Sequence, residues 1–305
     1  MRLSDGLGVV SQIQGFCVND GEGIRTNVFL SGCPLRCQWC SNPETWTAEP
    51  KLTVVKEKCT GCNSCVEICP QKASLNPMFG NIYVTEDFNY CGVCVDACPN
   101  GARSILGSVM HVKEVVDRVM KDSIYFRQSG GGVTFSGGEP TFQKSFLRFL
   151  VNKFYDLGID MAIESCGYFN WEDTRDIFEK IDFIFMDMKI FNREKHIEYT
   201  GMDNELIHEN IKNIGKLGKP VVIRIPLMDG VNADDENILK TAAFVKENVP
   251  EGRIEVLPYH NFGAYKYDAL GKGEHKNQFE APSPQRVKEI EEIIRQSGVE
   301  VADYK

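Results

Sequence analysis

Ten of the chain's 12 cysteines fall between Cys33 and Cys98, leaving only Cys17 and Cys166 outside. Nothing else in the sequence narrows the possible folds so sharply. A disulfide framework suits a small secreted chain, whereas this one has 305 residues. The N-terminus, Met1-Arg2-Leu3-Ser4-Asp5, carries no apolar signal-peptide core, and no apolar run approaches the ~18 residues of a membrane span. The expectation is a cytoplasmic protein in a reducing compartment, where cysteines clustered at short spacings serve as metal ligands. Lys plus Arg number 34 against 43 Asp plus Glu, a net charge of −9. That balance argues against nucleic acid and against an anionic membrane surface as partners.

From about residue 105 the sequence alternates β-like runs with helical spacing. The runs are Gly132–Ser136, Met161–Ser165, Phe183–Lys189, Val221–Leu227 and Arg253–Tyr259, and Thr26–Leu30 opens the same series. In Phe142–Leu157, Phe146, Phe149, Leu150 and Phe154 share a helical face. The last helix is punctuated by Ser283 as cap, Pro284 in its first turn and Gly298 at its end. Such a βα repeat implies a parallel sheet with right-handed crossovers. Six units are too few for an eight-stranded barrel, which leaves an open partial barrel or a doubly wound sheet. Between about Pro50 and Ala102 the pattern breaks. Seven cysteines and several glycines there read as an insertion, with an internal repeat.

Within the insertion, Cys59, Cys62, Cys65 and Cys69-Pro70 have the bacterial ferredoxin spacing C-x2-C-x2-C-x3-C-P. Three close thiolates grip one cubane and the fourth cysteine reaches a second cluster. A second run, Cys91, Cys94 and Cys98-Pro99, follows. Pairing the runs assigns Cys59, Cys62, Cys65 and Cys98 to one [4Fe–4S] cluster and Cys69, Cys91 and Cys94 to another. The four-cysteine run ending in Pro70 favours clusters over a pair of zinc knuckles. Phe88 stands where ferredoxins have the first cysteine of the second run. Asp87 is the nearest oxygen donor for the remaining iron and Glu86 the next; a three-iron cluster or solvent on the open iron satisfies the sequence equally.

The earlier group, Cys33, Cys37 and Cys40, is spaced C-x3-C-x2-C directly after the first β-like run. Three thiolates on a cubane leave one iron open, as a catalytic metal site requires and a structural one does not. The polar positions agree with a catalytic reading. Gly137-Gly138-Glu139 follows the second run, Glu164 ends the third, Asp187 and Lys189 end the fourth, and His260 follows the sixth. In βα barrels that is the face on which active sites are built.

The cysteine spacing resembles that of the radical S-adenosylmethionine (SAM) enzymes, and the resemblance extends to the glycyl-radical-enzyme activating enzymes. It rests on Asp20-Gly-Glu-Gly-Ile-Arg25-Thr26 (with Glu22 where proline is usual), Ser31-Gly-Cys33 through Glu44, and Gly130-Gly-Gly-Val-Thr-Phe-Ser-Gly-Gly-Glu139-Pro140. Leu257-Pro-Tyr-His260 and Lys266-Tyr-Asp-Ala-Leu-Gly271 also match. It implies an α/β protein, a partial (β/α)6 TIM-type barrel with an inserted bacterial-ferredoxin-like iron–sulfur domain. The corresponding divisions are 1–49 and 105–305 for the barrel and 50–104 for the insert.

The resemblance further implies three [4Fe–4S] clusters and SAM. The cluster on Cys33, Cys37 and Cys40 would chelate SAM and cleave it reductively, and the 5′-deoxyadenosyl radical would take a hydrogen atom from a glycine Cα of a partner protein. Carried over residue by residue, SAM contacts fall on Trp39, Cys40, Ser41, Gly137, Gly138, Glu139, Asp187, Met188, Lys189, Arg224 and His260. Glu164, Ser165 and Asp187 align with a monovalent cation site, with Glu164 where aspartate is usual. The partner would be a glycyl radical enzyme, with general resemblance pointing to hydroxyproline dehydratase, and the electron donor a flavodoxin or ferredoxin.

Simpler readings stand beside these. Cys17 and Cys166 suit buried structural thiols, Asp187 and Lys189 a sheet-end ion pair, and Asp234-Asp235-Glu236 the solvated first turn of a helix. A radical enzyme acting on a small molecule and a non-catalytic electron carrier are the rival functions; the Asp20–Thr26 motif argues against the first and an open iron against the second.

Overall fold

Strand alternation explains how one sheet serves both a core and a site. The computed structural model describes residues 6–70, 89–276 and 278–304. Its strands are β1 (Leu7–Cys17), β2 (Arg25–Leu30), β3 (Lys51–Val54), β4 (Arg103–Leu106), β5 (Ser108–His111) and β6 (Gly132–Gly137). They continue with β7 (Asp160–Ser165), β8 (Phe183–Asp187), β9 (Val221–Leu227), β10 (Arg253–Pro258) and β11 (Glu300–Val301). Nine form one sheet in the order β11-β10-β9-β8-β7-β6-β2-β1-β5. The six expected strands, β2 and β6 to β10, are mutually parallel. The short β11 extends them in parallel, and β1 and β5 add antiparallel edges that the βα period did not announce.

Along each central strand, alternate residues face the outer helices and the interior. Met161, Ile163, Ile184, Met186, Ile223 and Ile225 join the large core with the helices. Their neighbours Ala162, Phe183, Phe185 and Val222 form a second apolar cluster, capped by Ala302. Further along the same inner rows come Glu164, Asp187 and Arg224, which line a cavity. The inner face is thus apolar near the strand starts and polar near their C-terminal ends. Arg224 Nη2 donates to the Asn19 carbonyl at 3.0 Å, although β9 and β2 lie four strands apart. In a flat sheet that separation is about 19 Å, so the sheet is curled. Among the described residues it ends unpaired at β5 and β11. The open partial barrel, rather than the doubly wound sheet, is the architecture.

Two details depart from the sequence reading. Lys189 lies beyond β8, which ends at Asp187. The helix Lys144–Asp156 buries Phe146, Leu147, Leu150, Val151 and Phe154, whereas Phe149 is 44% exposed; the buried stripe is centred one position away from it. The final helix, Pro284–Gln296, has Ser283 accepting from the Arg286 amide at 3.1 Å, and Asp234 caps Asp235–Asn248 in the same way.

The cysteine-rich segment is clasped at its base by β3 and β4, paired antiparallel from Lys51↔Leu106 to Val54↔Arg103. Inside, two short helices, Ser64–Glu67 and Val93–Asp96, each follow a residue in the left-handed region, Asn63 and Gly92. The repeat read from the cysteines is therefore a repeat of backbone conformation. Asp87 and Glu86, the expected oxygen donors, lie outside the described residues.

Candidate active site

The loop after β2 carries Cys33, Cys37 and Cys40, and neighbouring elements fix its path. Gly32 N donates to the Thr45 carbonyl, Arg36 N to Thr200 and Gln38 N to Tyr199, at 2.6, 2.7 and 3.0 Å. From the far end of the chain, Tyr267 donates its phenol to the Cys40 carbonyl at 2.9 Å. Lys266 Nζ reaches Asn42 Oδ1 at 2.8 Å and Glu44 Oε1 at 2.7 Å. The Lys266-Tyr267 motif, whose role was not legible in the sequence, is a brace for the cysteine loop.

All three thiols line a cavity of about 390 Å³ at the C-terminal ends of the strands, within the range of small-molecule sites. Trp39, Ser41, Gly137, Gly138, Asp187 and Lys189 share this lining. Glu164, Ser165, Arg224 and His260 complete the set from the sequence-derived residues, and Asp20 also lines the cavity. Two expected contacts are not in the lining. Met188 is buried, its amide donating to the Arg224 carbonyl at 2.9 Å. The Glu139 carboxylate is turned into the wall, where it accepts from Thr141 N, Thr141 Oγ1, Ser165 Oγ and Cys166 N at 3.1, 2.6, 2.9 and 2.7 Å. Those four donors fill a carboxylate's capacity, so Glu139 clamps β6 to the end of β7.

The glycines before it have a second reason to be glycine. A Cβ on Gly138 would lie 2.4 Å from the Gly32 carbonyl oxygen, and Gly137 has φ +121°. Close approach to the cysteine loop, as well as to the cavity, excludes a side chain there.

Burial raises the Cys37 thiol to about 12 and the Cys40 thiol to about 11. Thiols of this kind ionise at neutral pH only against a strongly positive centre. Cys166, read from the sequence as a structural thiol, is buried but also lines the cavity. Its hydrogen bond with Cys33 holds Cys33 below the ordinary thiol range and Cys166 well above it. Cys17 is buried and contacts the Gln14 carbonyl.

Asp187 and Lys189 form an ion pair at 2.7 Å. Burial works against the Lys189 ammonium, but Asp187, Cys37 and Cys166 outweigh it and raise its pKa. Beneath them, Glu164 faces the Arg224 guanidinium with one oxygen and the Ser136 hydroxyl with the other. Arg224 also donates to Glu255 Oε2 at 2.7 Å and lies 3.7 Å over the Phe185 ring. Of the expected cation ligands, which share the cavity lining, Glu164 pairs with Arg224, Ser165 with Glu139 and Asp187 with Lys189. Glu255, missed in the sequence, was signalled only by being a lone charge in the apolar run Ile254–Val256.

In the insert, Cys59, Cys62, Cys65 and Cys98 line one small cavity, and Cys69 and Cys94 pack with Cys65 beside it. Cys91 is exposed. Four soft donors lining one cavity suit an iron–sulfur cubane. Among the described residues, no helix is long and apolar enough to cross a membrane.

Residues 89–242 match the radical SAM superfamily and residues 52–73 a 4Fe-4S binding domain. The trans-4-hydroxy-L-proline dehydratase activating enzyme of Clostridioides difficile is 38% identical over 306 residues, covering 95% of this chain and 97% of the relative. The 4-hydroxyphenylacetate decarboxylase activating enzyme of Clostridioides difficile strain 630 is 37% identical over 302 residues, covering 96% and 94%. A radical SAM methyltransferase from Sphaerobacter thermophilus shares the fold, with a TM-score of 0.53 over 96% of this chain and 76% of that one at 14% identity. Three cavity thiols, the cysteine-rich insert and full-length kinship at this level together place the chain in the radical SAM superfamily, among the activating enzymes of glycyl radical enzymes.

Proposed function

We propose that Cys33, Cys37 and Cys40 hold a site-differentiated [4Fe–4S] cluster, and that the cavity beside them binds SAM for hydrogen abstraction from a glycine of a partner enzyme. The observation that carries this is the lining itself: three thiols, the Gly137–Gly138 backbone and the Asp187–Lys189 pair share one cavity. When bound, the cluster and SAM supply an electron and a primary carbon radical. The chain's own residues bind and orient. Lys189, with Asp187 beside it, presents positive charge to a carboxylate, while Ser41 and the glycine backbone offer polar contacts without bulk. Trp39 packs against Tyr199 and Phe279, with centroids 6.2 and 6.0 Å away, and walls the cavity from water.

The insert, taken as residues 50–104, would hold two auxiliary clusters, one on Cys59, Cys62, Cys65 and Cys98 and one on Cys69, Cys91 and Cys94. A flavodoxin or ferredoxin in the cytoplasm would supply the electron. The partner is a glycyl radical enzyme, with hydroxyproline dehydratase the first to test. Relatives at 38% and 37% identity are named for different partners, so identity alone does not choose.

The test is anaerobic. The reconstituted, reduced chain is given SAM, and 5′-deoxyadenosine is quantified against Cys37→Ala. Product from the native chain alone, followed by a glycyl radical spectrum when hydroxyproline dehydratase is added, supports the proposal. An intact cluster with no cleavage sinks it. Cleavage without a glycyl radical would exclude that partner.

A further inference from the structure

Arg103 occupies the seam between the two cysteine sets of the insert. It opens β4, opposite Val54, and is 4% exposed. Its side chain lines the cavity shared by Cys59, Cys62, Cys65 and Cys98. Its strand also packs against the helix Val93–Asp96, which carries Cys94 of the other set. Cys94, Cys69 and Cys65 lie in one buried cluster with Leu52, so the two sets are adjacent.

A permanently charged guanidinium is costly to bury and is retained where it meets negative charge. Each cubane gains one negative charge when it accepts an electron from a reductant. A nearby buried cation and hydrogen bonds to sulfur both favour the reduced form. We propose that Arg103 raises the reduction potentials of both auxiliary clusters, acting as a shared positioning charge between them. The proposal rests on reading the insert as a two-cluster domain.

The experiment uses the full chain reconstituted anaerobically as native, Arg103→Gln and Arg103→Lys. Iron per chain is measured first, and reduced clusters are then followed by EPR during titration with dithionite. At the native midpoint, Arg103→Gln should show a reduced-to-oxidised ratio lower by on the order of tenfold for the auxiliary signals. Arg103→Lys should recover most of that ratio, and the signal of the cluster on Cys33, Cys37 and Cys40 should not move. Unchanged auxiliary signals at full iron content would overturn the proposal.

If Arg103→Gln loses iron, the native chain labelled with guanidino-15N arginine decides the matter. Pulsed EPR should then show 15N coupling to a reduced auxiliary signal, lost in Arg103→Lys, and no such coupling overturns the proposal. Native protein holding about eight irons rather than about twelve would refute the two-cluster reading instead. With a single auxiliary cluster, a charge shared between two is likewise refuted.

Discussion

Lys266, in the short helix Ala264–Ala269, places its ammonium 2.7 Å from Glu44 Oε1, at the turn that ends the cysteine loop. Two segments more than 200 residues apart are joined there, and the site's shape depends on the join. Lys266→Met strands a mostly buried carboxylate, at a cost on the order of 3 kcal/mol. The expected outcome is a lower urea midpoint and faster loss of iron from the cluster on Cys33, Cys37 and Cys40, with Lys266→Arg close to native. Native-like denaturation of Lys266→Met would show that the brace is dispensable.

Gly138→Ala tests the seating of the loop from the other side. The added methyl would meet the Gly32 and Thr45 carbonyl oxygens at 2.4 and 2.9 Å. Both are backbone atoms and neither can swing away. Overpacking of this kind costs about 1–3 kcal/mol, and displacement of the loop should also weaken SAM binding. Calorimetric titration with SAM, alongside thermal unfolding, checks both effects.

The Glu164–Arg224–Glu255 chain makes a prediction about additivity. Arg224→Met leaves one buried carboxylate, Glu255, and one half-buried, Glu164, without a counter-charge and should cost on the order of 3 kcal/mol. The triple change Glu164→Gln, Arg224→Met, Glu255→Gln should be much less damaging than Arg224→Met alone. Urea unfolding of the four single and combined variants measures the coupling, and simple additivity would contradict the network.

Glu164 also sets a pH dependence. Burial raises its carboxyl to about 7, against the opposing pull of Arg224, from an ordinary value of 4.5. Since the folded value lies above the unfolded one, its contribution to stability is fully present below pH 4.5 and is lost as pH rises to 7. The difference in melting temperature between the native chain and Glu164→Gln should therefore shift in favour of Gln across that window and level off above it. A flat difference would mean that the carboxyl titrates normally.

How far this was legible in the sequence varies with the range of the interaction. The six parallel strands could be read because strand and helix periods are local. So could the N-cap at Ser283, where a side chain meets a backbone amide three residues on; Asp234, read as part of a helix's first turn, proves to be that helix's cap. The cysteine chemistry was legible for the same reason, since a cubane fixes the spacing of its close thiolates. Phe149 was misplaced because helical spacing defines a stripe without fixing its centre.

The sequence by itself determined the kind of protein: a βα repeat, an iron–sulfur insert and three clustered thiols after the first parallel strand. The tertiary structure decided which distant side chains meet. It turned Glu139 into a clamp, set Cys166 beside Cys33, and braced the cysteine loop with Lys266 and Tyr267. It also paired Glu164 with Arg224 from a strand two positions away in the sheet. Such pairings follow from strand register and sheet curvature, which bring together residues from strands that a flat sheet would hold far apart, and no local pattern encodes them.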